Sequence, residues 1–194
     1  MSKKIAVFAS GSGSNAENIA RYFSDKSIAN VELIITNRAD SYVVERAKQM
    51  NIKSAFFPNS AWKEPKEVLD LLMSHKINFI VLAGFLIRVP EAILNKYPNR
   101  VINIHPALLP KFGGKGMYGD NVHNAVIEAK EKESGITIHY CNEHYDEGDI
   151  IFQAKCEVLP TDTAEDVANK VHKLEYKHFP IIIEKLVKQL NTIS

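Results

Sequence analysis

The sequence predicts an α/β fold: an open, mostly parallel twisted sheet with helices on both faces. Three observations predict this class. Short runs of β-branched apolar residues recur along residues 1–100, each run is followed by apolar residues at helical spacing, and the first run ends in a glycine-rich turn. Strands that are buried on both faces carry continuous apolar runs, which is typical of parallel sheets covered by helices.

The first half alternates predicted strands with predicted helices. The first strand is KIAVFAS, and the helix NAENIARYFSD follows its glycine turn. The next pairs in chain order are VELIITN with SYVVERAKQM, KSAFF with PKEVLDLLMSHK, and NFIVLAGF with VPEAILNKY, and RVINI is the fifth strand. Alternation of this kind is typical of βαβ units, so we expect a Rossmann-like half over residues 1–100.

The pattern changes after Pro110. The stretch KFGGKGMYGDN has no period and predicts a loop, VHNAVIEAK predicts a helix, and SGITIHY and DIIFQAKCEV predict an antiparallel pair of strands. The last periodic segment predicts one long helix, or two helices that meet at Pro180. Thr163 and Asp166 have the spacing of a helix-capping pair at its start.

Composition restricts the class of protein further. A chain of 194 residues that is 45% hydrophobic can bury one good core, so we expect a single domain over residues 1–194. The formal net charge is +1 with no basic stripe, which argues against a nucleic-acid partner. The apolar runs are too short for a membrane span or for the core of a signal peptide. Two cysteines, Cys141 and Cys156, are too few for a disulfide framework, which fits a reducing compartment. We expect a soluble, cytoplasmic chain.

A glycine-rich turn, GSGSN, joins the first strand to the first helix. A helix N-terminus offers free N–H groups and a partial positive charge, which suits a phosphate. The turn also fits a weak dinucleotide fingerprint, but the second strand ends at Thr36 without the acidic residue that would hold an NAD ribose. NADP held by Arg38, and a tight helix-capping turn without a ligand, remain open alternatives.

Asn103 and His105 end the fifth predicted strand, just before Pro106. Residues two apart in a strand point to the same side, so both side chains project at the edge where the glycine turn lies. An amide N–H can stabilise a developing oxyanion, and an imidazole can carry protons near neutral pH. A half-buried histidine beside an asparagine that caps a turn is the alternative for an isolated pair.

A third element favours a catalytic group. Asp146 follows the strand that carries His139, and a carboxylate beside His105 would favour the imidazolium. The sequence has no nucleophile elbow, so direct attack by a substrate amine is more natural than a covalent intermediate. His139, Cys141 and His144 lack a second pair of ligands at zinc-site spacing, so we expect no metal. On the last helix, a solvated face is the simpler interpretation of His172.

Five motifs carry a resemblance to a known family. GSGSN, VLAGFLIRV, NIHPALLPKF, GITIHY and HYDEGDIIFQ occur in this order over nearly the whole chain. This set resembles the folate-dependent phosphoribosylglycinamide formyltransferases. The resemblance implies a formyltransferase-type sheet and a cytoplasmic enzyme, monomeric or homodimeric, that acts on small molecules in purine biosynthesis. The enzyme would transfer a formyl group from 10-formyltetrahydrofolate, as co-substrate, to the amine of 5-phosphoribosylglycinamide without a metal.

The resemblance also assigns roles to residues. Asn103 would stabilise the oxyanion, His105 would be the general acid, and Asp146 would raise the pKa of His105. The substrate phosphate would bind at Gly13, Ser14 and Asn15, the glycinamide end at Glu175, and the folate at Leu86, Ile87, Arg88, Val89, Asn142, Glu143, His144, Tyr145 and Lys66. His139 would support the site, and residues 101–194 would form the catalytic and folate-binding half with the C-terminal helix.

The sequence departs from the family pattern in three places, which are Arg88, one residue later than usual, Lys66, where the family has an arginine, and one longer segment; rival functions also remain. Residues 112–123, FGGKGMYGDNVH, are longer than the usual stretch, and only His123 matches one of its histidines. Formyltransferases of initiator tRNA usually carry an added C-terminal domain and need basic surface, while formyltetrahydrofolate hydrolases usually carry an N-terminal regulatory domain. A non-catalytic phosphate-binding module is the rival from another class.

Overall fold

A computed structural model describes residues 2–190 and shows one seven-stranded sheet. The strands are β1 (Lys3–Phe8), β2 (Ala29–Thr36), β3 (Lys53–Phe56), β4 (Phe79–Leu82), β5 (Val101–His105), β6 (Glu133–Tyr140) and β7 (Ile150–Glu157). The helices are α1 (Ser14–Phe23), α2 (Val43–Gln49), α3 (Lys66–Ser74), α4 (Glu91–Lys96), α5 (Asp120–Glu128) and α6 (Ala164–Gln189). A short 3-10 helix also spans Asn59–Trp62.

The order across the sheet is β3-β2-β1-β4-β5-β6-β7. The first five strands of this order are parallel, and β6 and β7 add an antiparallel pair. The predicted open, mostly parallel sheet is confirmed. Because the chain order changes direction at β1 and β4, the carboxyl ends of these strands open onto a crevice, where ligands bind in open α/β sheets.

Helices cover both faces of the sheet because alternate residues of its strands point to opposite sides. In β1, Ile5 and Val7 belong to the core under α1, α5 and α6, while Ala6 and Phe8 belong to the core under α3 and α4. All four side chains are fully buried. The apolar runs of the sequence therefore mark strands that are buried on both sides.

The C-terminal segment is one continuous helix, α6, with Pro180 inside it. Thr163 and Asp166 form a reciprocal capping box at its start, as predicted. One face of α6 is buried against the sheet and carries Glu175 toward the crevice. Within residues 2–190, no helix combines the length and apolar character that crossing a membrane requires.

Candidate active site

A cavity of about 650 Å³ lies at the carboxyl ends of β1, β4 and β5. Its walls include the glycine turn after β1, the segment after β4, the end of β5, the loop before α5, the loop after β6 and one face of α6. A volume of this size suits a small-molecule ligand. With Arg38 after β2, seven separate segments of the chain contribute to one site.

The glycine turn presents the start of α1 to this cavity. Gly13 is the N-cap, has a left-handed φ of 75°, and leaves the helix without a side-chain cap. A Cβ atom at Gly13 would lie 2.3 Å from Cγ2 of Val43, so α2 packs directly against the turn and excludes any larger residue. Ser14 and Asn15 begin the helix and line the cavity with Gly13. The free N–H groups of this turn can bind an anion.

Asp146 meets both polar residues at the end of β5. Its Oδ2 lies 3.5 Å from Nδ1 of His105, and its Oδ1 accepts a hydrogen bond of 3.3 Å from Nδ2 of Asn103. The backbone N–H of Gly114 donates to Oδ2 at 3.0 Å. Asp146 has a left-handed φ of 57°, which turns the loop after β6 back toward β5. The structure therefore brings these three sequence-predicted side chains together.

Two carbonyl groups determine which ring nitrogens carry protons. Nε2 of His105 lies 2.7 Å from the carbonyl of Phe112, and because a carbonyl only accepts, this nitrogen carries the hydrogen. Nδ1 of His139 donates in the same way to its neighbour Tyr140 at 2.9 Å, so Nε2 of His139 accepts from Asn103 at 3.1 Å. His139 therefore orients Asn103, and Nδ1 of His105 is left to accept a proton beside Asp146.

Burial decides the pKa of His105. The ring is 3% exposed, and its burial lowers the pKa below the ordinary value, although the carboxylate of Asp146 acts in the opposite direction. The expected influence of Asp146 is thus present but is outweighed, and the imidazole is neutral at neutral pH. Burial would also raise the pKa of Asp146, but interactions that include His105 and the backbone N–H of Gly114 outweigh it and hold that pKa below its usual range.

Glu175 is buried, with 4% exposure, and lies next to the glycine turn. Its Oε2 accepts hydrogen bonds from Nδ2 of Asn15 at 2.9 Å and from Nδ1 of His172 at 2.8 Å. The hydrogen bond between His172 and Glu175 raises the pKa of His172. The ring of His172 is about half exposed, as expected for a solvated face, and it also lines the cavity. The spacing of three residues between His172 and Glu175 predicts that the two side chains share one face of the helix.

The proposed folate residues divide into those that reach the cavity and those that do not. Cavity-lining residues among them are Leu86, Ile87, Arg88, Val89, Asn142, His144 and Tyr145. Nη1 of Arg88 donates to the carbonyl of Glu143 at 2.9 Å, which joins the two walls, whereas the Glu143 side chain is itself exposed. Lys66 does not line the cavity: it is exposed at the start of α3, because Val68 and Leu72 are the residues that face the core.

The loop before α5 supplies contacts that the sequence did not predict. Phe112 and Gly114 fix His105 and Asp146 through backbone groups, and Lys115 and Tyr118 line the cavity. A stretch rich in glycine and without a period gives no signal for such contacts. In the described part of the chain, no group of three or more His, Cys, Asp or Glu residues is arranged to hold a metal.

An open α/β sheet with an anion-binding turn and a group of ionisable side chains at one cavity defines a small-molecule enzyme. The sequence model described as formyl transferase matches residues 3–183. A phosphoribosylglycinamide formyltransferase from Bacillus subtilis is 36% identical over 95% of this chain and 95% of its own length. The crystal structure of such an enzyme from Bacillus halodurans has a TM-score of 0.89, with 35% identity over 98% of both chains.

Plant relatives are longer than this chain. The chloroplastic phosphoribosylglycinamide formyltransferase of Arabidopsis thaliana is 41% identical over 96% of this chain and 67% of its own length. The chain spans 62% of the corresponding protein of Vigna unguiculata. The chain belongs to the formyl transferase family, and the resemblance carried by the five motifs is confirmed.

Proposed function

We propose that this chain transfers a formyl group from 10-formyltetrahydrofolate to the amine of 5-phosphoribosylglycinamide. The observation that carries the proposal is that the turn at Gly13 and the group of Asn103, His105 and Asp146 line the same cavity. An anion site near a proton-carrying group suits a substrate with a phosphate and a nucleophilic amine. Relatives that bear the name of this activity cover nearly the whole chain, which supports the same substrate.

The proposed reaction is a direct transfer. The amine nitrogen bonds to the formyl carbon, the bond from that carbon to the folate nitrogen breaks, and one proton passes from the amine to the folate nitrogen. His105, neutral at neutral pH, takes this proton at Nδ1 and returns it as the general acid. Asp146 stabilises the imidazolium that forms between the two steps.

Asn103 has the role of oxyanion donor in this proposal. Its amide N–H₂ has two donors, of which one binds His139 at 3.1 Å and the other binds Asp146 at 3.3 Å. The longer of these bonds is the weaker one and can be exchanged for the oxygen of the formyl group. His139 then keeps the amide oriented while the charge develops. Holding both substrates in one cavity supplies much of the remaining acceleration.

Other parts of the site contribute binding in this proposal. Gly13, Ser14 and Asn15 hold the substrate phosphate, and the hydrogen bond between Asn15 and Glu175 supports a role for this carboxylate toward the same substrate. The folate lies between the segment Leu86–Val89 and the loop 142–145. Both segments line the cavity, and the Arg88 bridge to Glu143 keeps them together.

We also propose how the chain is organised and where it works. Residues 1–100 carry the Rossmann-like, phosphate-binding half, and residues 101–194 carry the catalytic and folate-binding half. The nearly balanced charge supports action on small molecules without a nucleic-acid or membrane partner. The two free cysteines fit a cytoplasmic enzyme, as a monomer or homodimer.

One assay tests the proposed function. Purified protein is supplied with 10-formyltetrahydrofolate and, in parallel, with phosphoribosylglycinamide, free glycinamide or water alone as the acceptor. We expect transfer to the phosphoribosyl substrate, little transfer to free glycinamide, and slow hydrolysis. Equal rates with both amines would remove the phosphate site from the proposal, and hydrolysis without transfer would identify a hydrolase. Binding of the phosphoribosyl substrate without turnover would identify a binding module.

A further inference from the structure

Three buried polar atoms have no hydrogen-bond partner within residues 2–190. They are Oδ1 of Asn15, Nδ1 of His123 and Oγ of Ser134. Asn15 and His123 line the large cavity, whereas Ser134 lines a separate, smaller pocket. Buried polar groups without partners are unfavourable, and native proteins keep few of them. Two of them belong to residues that line one cavity, where a bound ligand would lie beside them.

The unpartnered atoms have a defined chemistry. Nδ2 of Asn15 donates to Glu175, so the free Oδ1 is an acceptor. His123 lies on α5 with 3% exposure, and burial, followed by the nearby charge of His172, lowers its pKa. Asp120 and Glu175 act in the opposite direction but do not outweigh burial. A neutral imidazole keeps one nitrogen as an acceptor and one as a donor.

Packing does not account for an imidazole at this position. The other buried residues of α5 are the apolar Val122 and Val126. An apolar side chain of similar size would fill the space without leaving a polar atom unpaired. The ring nevertheless lies between two groups of the site, since both His105 and Glu175 are close enough to influence its pKa.

We propose that His123 is a substrate-binding residue, whose ring and the Oδ1 of Asn15 hydrogen-bond polar groups of the phosphoribosyl substrate between its phosphate and its amine. This inference rests on the proposed function. The pentose hydroxyls and the amide N–H can donate to the Oδ1 of Asn15, and a pentose hydroxyl can either donate to or accept from the ring of His123. Since Asn15 belongs to the glycine turn and also binds Glu175, its free Oδ1 lies next to the anion site.

The test compares His123→Leu and His123→Gln with the unchanged chain, and uses Ser134→Ala as the matched control. KM for both substrates, kcat, binding of phosphoribosylglycinamide by calorimetry without folate, and the thermal midpoint are measured. We expect His123→Leu to raise KM and Kd for the phosphoribosyl substrate about ten-fold, the effect of one hydrogen bond. KM for the folate stays within about two-fold, and the thermal midpoint stays the same or rises. His123→Gln recovers part of the affinity, and Ser134→Ala leaves all kinetic constants unchanged.

Substrate analogues identify the partner of the ring. If a pentose hydroxyl is the partner, the ratio of KM between variant and unchanged chain falls toward one with the 2′-deoxy or the 3′-deoxy substrate. A ratio that persists with both analogues assigns the amide N–H.

Two results would overturn the inference. An active unchanged chain whose KM and Kd are not altered by either His123 variant shows that the ring does not touch the substrate. Equal losses of affinity for both substrates, together with a lower thermal midpoint, show a purely structural role. An unchanged chain that does not formylate phosphoribosylglycinamide is a different result, because it overturns the proposed function itself.

Discussion

Asp146 lies 3.5 Å from His105, measured from Oδ2 of the carboxylate to Nδ1 of the ring. Two features of the fold produce this distance. β5 and β6 pair antiparallel with Asn103 opposite His139, so β6 ends beside the start of β5 and the loop that follows must fold back along β5 to bring Asp146 to its end. The left-handed φ of Asp146 then turns its side chain back toward the strand. The pair is therefore formed by strand register and loop conformation together.

Asp146→Asn is expected to lower kcat roughly 10²-fold and to move the acidic limb of the pH profile of kcat/KM to lower pH. The carboxylate favours the imidazolium, so its removal lowers the pKa of His105 further. The proposed mechanism needs a neutral His105 to take the proton. The activity of the variant is therefore lower, but it persists to more acidic pH. Steady-state kinetics between about pH 5 and 9 measure both effects.

Glu147→Gln is the matched control for this change. Glu147 is the next residue in the same loop, is exposed, and loses the same charge on substitution. We expect an unaltered profile. A profile of Asp146→Asn that is identical to that of the unchanged chain would separate this carboxylate from the proton transfer.

Asn103→Ala is expected to reduce kcat by about 10²–10³-fold while both substrates still bind, because the lost N–H acts on charge that develops only during the reaction. The double variant with His105→Ala should be no worse than the product of the single losses. Asn95→Ala, on the exposed part of α4, is the control, since its amide donates to Glu91 within the same helix and does not line the cavity. Unchanged turnover in Asn103→Ala and His105→Ala would end the catalytic assignment.

The sequence predicted the fold well because burial on both faces leaves a direct trace in the residues. Ile5, Ala6, Val7 and Phe8 are all apolar, so the run indicates a covered strand before any contact is known. The order of the strands in the sheet cannot be read from the residues in this way, because it depends on which strands pair with one another. The long helix through Pro180 was one of two alternatives, and packing against the sheet decided between them.

The candidate site was predicted in part, and the misses have physical causes. Asn103 and His105 were found because a spacing of two residues in a strand determines a shared side. The contacts of Phe112 and Gly114 were missed because they are made by backbone groups, whose partners the residue types do not indicate. Lys66 was assigned through the resemblance alone, and the direction in which α3 faces the core turns it away from the cavity.

Gly13→Ala is expected to destabilise the chain by about 2–4 kcal/mol. The left-handed φ strains a residue with a Cβ, and the new atom would overlap with Val43 of α2. Gly11→Ala is the control from the same turn, since its Cβ would meet nothing within 4 Å, and it should change stability by less than about 0.5 kcal/mol. Urea unfolding measures both values, and equal stabilities would contradict the close packing of α2 on the turn.

Acidification is expected to destabilise the fold as the pH falls below about 6.5, the ordinary pKa of histidine. Burial lowers the pKa of His105 and of His123 in the folded chain, so the unfolded chain binds protons first as the pH falls. The stability that these rings contribute is therefore present above the unfolded pKa and is lost as the pH falls through the folded pKa. His123→Leu should reduce this loss, as measured by thermal midpoints across the range.

The opposite sign is expected for His172, which serves as the internal comparison. Its hydrogen bond to Glu175 raises its pKa, so the stability from this pair is complete below the unfolded pKa and is lost as the pH rises through the folded pKa. His172→Gln should therefore leave the acidic loss intact and alter only the neutral range. An acidic loss that is the same with and without His123 would contradict the assignment of this effect to buried neutral rings.

Arg88→Met is expected to raise KM for 10-formyltetrahydrofolate by about three- to ten-fold, with KM for phosphoribosylglycinamide nearly unchanged. Nη1 of Arg88 donates to the carbonyl of Glu143 and joins the two segments proposed to hold the folate, so its loss lets them separate. Methionine keeps a long apolar stem and removes only the donors. Arg100→Met is the control, because Arg100 is exposed and does not line the cavity. The glycine turn and Glu175, which are proposed to hold the phosphoribosyl substrate, lie on segments that this hydrogen bond does not join. Equal increases of both KM values in Arg88→Met would therefore mean that the bond supports the whole cavity rather than the folate-binding walls alone.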